Sequence, residues 1–331
     1  MGLRTYVIKR LLYTFVLIIF TIIINWVIFQ AIPGGSGALA SLGSGYHQTS
    51  GQYLYYEKLY GLDKPPLVRF ENYFWDMLTF NFGNSFASQH PVIDDMISSG
   101  RLANTLLLVG SATALSLIVG VILGVIISVR RGGAADNFWV TSSLATFSLP
   151  VFWLGLTMIT IFTYYLNWFP SGGTFPPDWA QFGAPPWPQM IITRLQYLIL
   201  PMITLTLILY GGNLLLTRAT MMEVLNEDYV LTARAKGLKE RSVLFKHAFK
   251  NASLPIVTTA ALGFGTVLGG AIITESIFNW KGLGQWLFAS IGVKDFPVMQ
   301  AMFYLLALSV IFANLISDLI YGVIDPRIRY E

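Results

Sequence analysis

Six stretches of the chain run without a single Asp, Glu, Lys or Arg: residues 11–56, 102–129, 137–177, 195–217, 251–274 and 296–317. Each holds a predominantly apolar segment of about 20 residues, the length a helix needs to cross the hydrocarbon of a bilayer. The pattern predicts spans near Leu11–Ile32, Leu102–Val129, Phe138–Tyr165, Leu195–Thr217, Ile256–Ile277 and Met302–Ile324. Helices are expected over strands, because backbone groups in lipid must bond within their own segment and a barrel would show shorter segments of alternating polarity. The expected fold class is all-α, a polytopic membrane protein with six transmembrane helices. Arg4, Lys9 and Arg10 precede the first apolar stretch as they would in a signal peptide, but that stretch has no small-residue cleavage site before Pro33 and is read as a retained span.

The segments between spans give the domain organisation. Residues 1–32 form an N-terminal segment with the first span, 33–101 an extracytoplasmic loop domain, and 102–331 a core with the remaining spans and one long polar excursion at 218–255. The loop domain opens on Pro33-Gly34-Gly35-Ser36-Gly37 and carries Tyr53, Tyr55, Tyr56, Phe70, Tyr73, Phe74 and Trp75. Its Glu57–Asp76 part reads as a partly amphipathic helix folded over the outer surface, and Pro170–Pro188 reads as a second outer loop. Gly120-x-x-x-Gly124 and Gly265-x-x-x-Gly269 supply small faces for close helix approach.

Composition agrees: of 331 residues 54% are hydrophobic and 11% charged, against about 25% charged in an ordinary soluble domain. The net charge of +4 raises the question of nucleic acid, but the placement of the bases answers it. Fourteen of the 21 Lys and Arg fall in segments on the N-terminal side: Arg4, Lys9 and Arg10, Arg130 and Arg131, seven from Arg218 to Lys250, and Arg327 and Arg329. Four of the other seven lie in or border the long first loop, where charge bias says little about orientation. Both termini are therefore expected in the cytoplasm, with the basic residues serving topology and no nucleic-acid partner. The absence of Cys excludes disulfides, thiolate metal sites and cysteine nucleophiles.

No G-x-x-x-x-G-K-[ST] phosphate loop and no H-E-x-x-H pattern occurs. The Gly34–Gly37 run matches a short intramembrane serine-protease pattern, yet His47, His90 and His247 all lie outside the spans, leaving that serine without a base. No catalytic, cofactor-binding or metal site is expected on this chain. Asp318, with Asn314 and Ser317 as neighbours able to share hydrogen bonds, is the one clear acid within a span and reads either as a pathway group or as a packed interfacial one. Glu275 and Lys281 are expected at the interface near the outer end of span five. A stand-alone secondary transporter or channel would call for paired intramembrane charges or symmetric broken helices, and neither is visible.

The excursion is the informative segment. Glu223 to Lys236 predicts a helix, ended by Gly237 in a left-handed conformation, and a second helix is expected over Glu240–Asn251 before the chain turns into span five at Leu254-Pro255. Small Ala233 and Ala235 beside Gly237 would let a partner approach the backbone. Seven bases against four acids also suit a basic hairpin resting on anionic headgroups.

The run Asp228-Tyr229-Val230-Leu231-Thr232-Ala233-Arg234-Ala235-Lys236-Gly237-Leu238, followed by His247-Ala248-Phe249-Lys250-Asn251-Ala252-Ser253-Leu254-Pro255, resembles the cytoplasmic EAA loop of ABC importer membrane subunits. The version is that of the peptide/nickel permease family. Leu62-Asp63-Lys64-Pro65, Phe82-Gly83-Asn84-Ser85, Leu200-Pro201, Phe278-Asn279-Trp280-Lys281-Gly282-Leu283-Gly284 and Asp325-Pro326-Arg327 match the family in order, so the resemblance covers nearly the whole chain. The eponymous Glu-Ala-Ala positions read Leu231-Thr232-Ala233, as is usual in this branch. The resemblance implies coupling helices between spans four and five, seated in a groove of a separate ATP-binding subunit. Glu227, Asp228, Thr232, Ala233, Arg234, Ala235, Lys236, Gly237 and Leu238 would form the coupling site, with Ala233, Ala235, Gly237 and Leu238 as contact core and Glu227, Asp228, Arg234 and Lys236 as rim charges. It also implies two ATP-binding subunits that carry the ATP and Mg, a second homologous permease subunit, an extracytoplasmic substrate-binding protein, and residence in the plasma membrane of a prokaryote. Di- and oligopeptides are the expected cargo, with oligosaccharides or sugars as the alternative; free nickel fits least, since no His or Cys cluster lies in the spans.

Overall fold

A computed structural model describes residues 3–31, 63–265, 267 and 271–324. What the sequence predicts for Pro33–Leu62, Gly269 and Asp325–Arg327, and so for Gly34–Gly37, His47, Tyr53, Tyr55 and Tyr56, lies outside the described residues. The main helices are α1 (Leu3–Ala31), α2 (Pro66–Leu78), α3 (Val92–Ser98), α4 (Arg101–Ser128), α5 (Ala134–Ser148), α6 (Val151–Ile159), α7 (Trp187–Val224), α8 (Asp228–Ala235), α9 (Phe249–Gly265), α10 (Ile272–Ile277), α11 (Leu283–Gly292) and α12 (Phe296–Ile324). Among the described residues, α1, α4, α7 and α12 are each long and apolar enough to cross a membrane, and the chain is a multi-pass membrane protein.

The third expected span is not one straight helix. α5 and α6, the latter extended by a π-helical turn at Thr160–Tyr165, meet at 103°. The cause is local: Pro150 disfavours helical geometry in the residue before it, and Leu149 is extended at φ −76°, ψ 135°. The fifth expected span, Ile256–Ile277, is also corrected. Its helix starts earlier, at Phe249, runs through Pro255 and ends at Gly265, while Ile272–Ile277 is the separate short helix α10. Leu254-Pro255 is thus inside a helix and not the turn expected there; Pro255 removes one hydrogen-bond donor without stopping the helix.

Cross-helix contacts give the helix directions. Arg194 meets Asn104, Thr206 meets the Ala112 carbonyl and Asn213 meets Ser116. Partner numbers rise together, so α4 and α7 run parallel, and the chain between them must return across their full length. Their approach is close because of Gly120 and Gly124: a Cβ at Gly120 would fall 2.6 Å from Asn213 Cβ, and one at Gly124 would fall 2.6 Å from Thr217 Cβ. α1 runs antiparallel to α12, tied by Asn25 Nδ2 to the Gln300 carbonyl at 3.1 Å and by Arg10 to Asp318 at 2.7 Å. The other face of α1 exposes Leu12, Phe15, Val16 and Phe20, as a lipid-facing helix should. The aromatic segment expected to lie over the surface is helical as α2 from Pro66 onward, with Phe70 against Trp26 of α1.

Candidate functional site

The excursion is built differently from the expected pair of helices. α7 stops at Val224, Leu225 to Glu227 turn, and α8 restarts at Asp228 with Glu227 extended at its N-cap. The expected continuous helix over Glu223–Lys236 is therefore broken. Asn226 takes the turn, its Nδ2 donating to the Met222 carbonyl at 3.0 Å, which suits a residue that competes poorly inside helices. The break lets Leu225 and Val230 point into one apolar cluster. That cluster joins Val125 of α4, Met221 of α7, Leu225 of the turn, Val230 and Ala233 of α8, Val243 and Ala248 of the segment that follows, and Ala252 of α9.

After Gly237 the chain makes a single turn at Glu240–Ser242 and a π-helical segment at Val243–Ala248, and then enters α9. The second helix expected over Glu240–Asn251 is thus a mixed element that flows into α9.

Gly237 holds φ +75°, and its N–H donates to the Arg234 carbonyl at 2.9 Å, closing the end of α8 as expected. Space around it is open: a Cβ there would meet nothing within 4 Å. Glu227, Asp228, Thr232, Arg234, Ala235, Lys236 and Leu238 are exposed around it. Two of the exposed side chains are large and apolar, Leu231 at 52% and Leu238 at 41%. Ala233 differs from the expectation that it belongs to a contact core: at 5% exposed it sits on the inward face and packs beneath α8. The face is stiffened by the Arg234–Glu240 ion pair at 2.8 Å, which raises the guanidinium's pKa further, and by Asn251 Nδ2 donating to the Tyr229 hydroxyl at 2.7 Å. Thr232 turns its hydroxyl back on the Asp228 carbonyl at 2.9 Å.

Beneath the excursion, Arg218 near the end of α7 grips Asp136 at the start of α5. Nε donates to Oδ1 at 2.6 Å and Nη2 to Oδ2 at 2.7 Å, and the Gly132 N–H adds a third donor at 2.8 Å. Asp136 is almost wholly buried. From the sequence alone Arg218 is only one of the bases that set the topology. The signal available was an acid in a short loop that otherwise carries Arg130 and Arg131.

The opposite end holds a second polar network. Glu275 was expected at the interface, yet it is fully buried. Thr105 Oγ1 donates to its Oε1 at 2.9 Å, the Gln285 N–H to Oε2 at 2.9 Å and the Ala271 N–H to Oε1 at 3.4 Å. Gly282 and Gly284 make room, since a Cβ at either would run into Glu275 Oε2. Lys281 is exposed, and its carbonyl accepts from Asn104. Nearby, buried Asp295 accepts from Ser85 Oγ at 2.5 Å and from the N–H groups of Phe86 and Ala87 at 3.0 and 3.2 Å, pinning the 83–88 loop to the head of α12.

Asp318 does not bond to Asn314 or Ser317 as the sequence suggested. It pairs with Arg10, and its backbone carbonyl accepts from the Tyr6 hydroxyl at 3.0 Å, while Asn314, one turn earlier on α12, is exposed. Among the described residues no group of three or more His, Asp or Glu is placed to hold a metal ion.

Comparison with known proteins gives this arrangement a context. Residues 117–330 match the family described as binding-protein-dependent transport system inner membrane component. Over 328 residues, 99% of this chain and all of the relative, the chain is 35% identical to the oligopeptide transport system permease protein AppB of Bacillus subtilis. It is 37% identical over 290 residues to the dipeptide transport system permease protein DppB of Escherichia coli K12, covering 82% of this chain and 83% of that one. The glutathione transport system permease protein GsiC of the same strain is 35% identical over 326 residues, covering 98% and 99%.

Proposed function

The chain belongs to the family of binding-protein-dependent transport system inner membrane components, and from that premise we propose that it is the pore-forming subunit of an ATP-driven importer of di- and oligopeptides. Its partners in this reading are a second, homologous permease, two ATP-binding subunits that carry ATP and Mg, and an external substrate-binding protein. Both termini and the excursion face the cytoplasm, and the 33–101 domain faces outward. The names of the relatives support a peptide cargo. The observation that carries the coupling reading is the exposed face of α8. Leu231, Ala235, Gly237 and Leu238 stand clear of the chain while Val230 and Ala233 anchor the same helix from below.

The mechanical consequence follows from the cluster under α8. A partner that pushes this helix presses on Val125 of α4, Met221 of α7 and Ala252 of α9 together. Because cores are close-packed, the push is transmitted and not absorbed. Three membrane helices therefore receive one stroke, and the nucleotide chemistry stays on another chain. Glu227, Asp228 and Lys236 are the free rim charges that help select the partner, whereas Arg234 is occupied by Glu240.

Reconstitution in liposomes tests the reading. Peptide uptake should need ATP and every partner, and should vanish when Asp228–Leu238 is replaced by a Gly-Ser linker. Uptake driven by a proton or sodium gradient with this chain alone would refute it. Single cysteines at Ser44 and Ser242 test orientation, since an impermeant thiol reagent on intact cells should label only the first.

A further inference from the structure

The end of α7 opposite the excursion holds an arginine that the fold does not neutralise. Arg194 donates from Nη2 to Asn104 Oδ1 at 2.7 Å, its one hydrogen bond among the described residues. Its Nε is buried with no partner among the described residues. The ion pairs among the described residues join Arg10 to Asp318, His90 to Asp95, Arg218 to Asp136 and Arg234 to Glu240, so none reaches Arg194. Glu275, bound to the adjacent Thr105, has both oxygens filled by other donors.

The fork is nevertheless held in place. Asn104 is buried, its Nδ2 donates to the Lys281 carbonyl at 2.8 Å, and its own carbonyl accepts from the Trp280 indole at 2.9 Å. A neutral amide thus orients the guanidinium without cancelling its charge, where an Asp at 104 would have closed the pair. Guanidinium groups match carboxylates in a planar, two-pronged geometry, and the partly exposed Arg194 spends one hydrogen bond on Asn104, which leaves the accessible end of its fork for an anion that arrives from elsewhere.

We propose that Arg194 receives the terminal carboxylate of a peptide on its way through the transporter, with Asn104 as the residue that positions it. The proposal rests on the peptide reading above and names the part of the substrate that this chain recognises. Lys281, beside the same network, adds a second positive charge that attracts an anion to this end.

The test uses the full transporter in liposomes, with its binding protein saturated either by a labelled tripeptide with a free C-terminal carboxylate or by the same peptide amidated. Arg194→Gln should slow initial uptake of the free acid by about tenfold, the scale of one charge-assisted hydrogen bond, and leave the amide at its wild-type rate. Arg194→Lys should keep most of the free-acid rate. Asn104→Asp supplies an internal carboxylate to the fork and should slow the free acid as Arg194→Gln does, with the complex still assembled. A merely structural arginine would tolerate Asn104→Asp, so wild-type uptake in that variant overturns the proposal. So does an equal proportional loss for both peptides in Arg194→Gln. A wild-type complex that imports neither peptide overturns the peptide reading itself, which separates the two failures.

Discussion

Arg218 and Arg194 lie on the same helix, about 36 Å apart along its axis, and the fold treats them in opposite ways. Arg218 is closed by a nearly buried carboxylate with two short hydrogen bonds. Arg194 is held by an amide through one bond and keeps an unpartnered Nε. At the excursion end, where α8 must hand its displacement to the membrane helices, the charge is spent on fastening α5 to α7. At the far end the acids are spent elsewhere, Glu275 on α4 and α11 and Asp295 on the 83–88 loop, and the base is left in hand. Charge of the same kind therefore serves rigidity at one end and stays available for something outside the chain at the other.

Four substitutions would break or sharpen this contrast, and the largest effect is expected at the closed pair. Asp136→Ala leaves the partly exposed Arg218 without its carboxylate and should destabilise the chain by about 3 kcal/mol, the lower end for a buried pair, read as a lowered melting temperature in detergent. Replacing both residues by apolar ones should recover most of that loss. Glu275→Gln exchanges an oxygen that accepts an N–H for a group that donates, and should cost about 1–3 kcal/mol in the same assay. Gly237→Trp strains a left-handed position by about 1–2 kcal/mol but meets open space, so the complex should melt near the wild type while ATP-driven uptake is abolished. Normal uptake in that variant, with normal partner assembly, would remove α8 from the coupling role. Arg194→Gln should cost least, less than about 1 kcal/mol in the same assay, because the one bond it loses is to a neutral amide. A loss there as large as that of Asp136→Ala would show that the two arginines are both fastenings.

Much of the fold was legible because long charge-free runs leave a helix few alternatives in lipid. Gly120, Gly124 and Gly237 were legible for a related reason, since each sits where only a missing Cβ allows the contact or the φ angle. The bend at Leu149-Pro150 was written in the sequence, but an apolar run gives no sign of the point where the chain changes direction. The burial of Glu275 was out of reach, because two of its three donors are backbone N–H groups at the starts of α10 and α11, those of Ala271 and Gln285. Ala233 was misplaced for one reason: the break at Leu225–Glu227 resets the helical phase, and a continuous helix through that turn would rotate Ala233 off the inward face. Arg194 is not set apart in the sequence from the other bases off the N-terminal side, since its distinction lies in what it lacks and not in its neighbours along the chain.

The π-helical segment Val243–Ala248 between the excursion and α9 has a consequence for how this chain can change length. A π turn is an α-helix carrying one residue too many, retained at the cost of poorer hydrogen-bond geometry. Deleting a single residue from that segment should let it relax to an ordinary α-helix while both flanks keep the faces they present, Val243 toward α8 and Ala252 toward α4 and α7. A deletion elsewhere in α9 would turn everything before it by about 100° and unseat one flank. The segment is thus a place where the chain should lose one residue without rebuilding the joint.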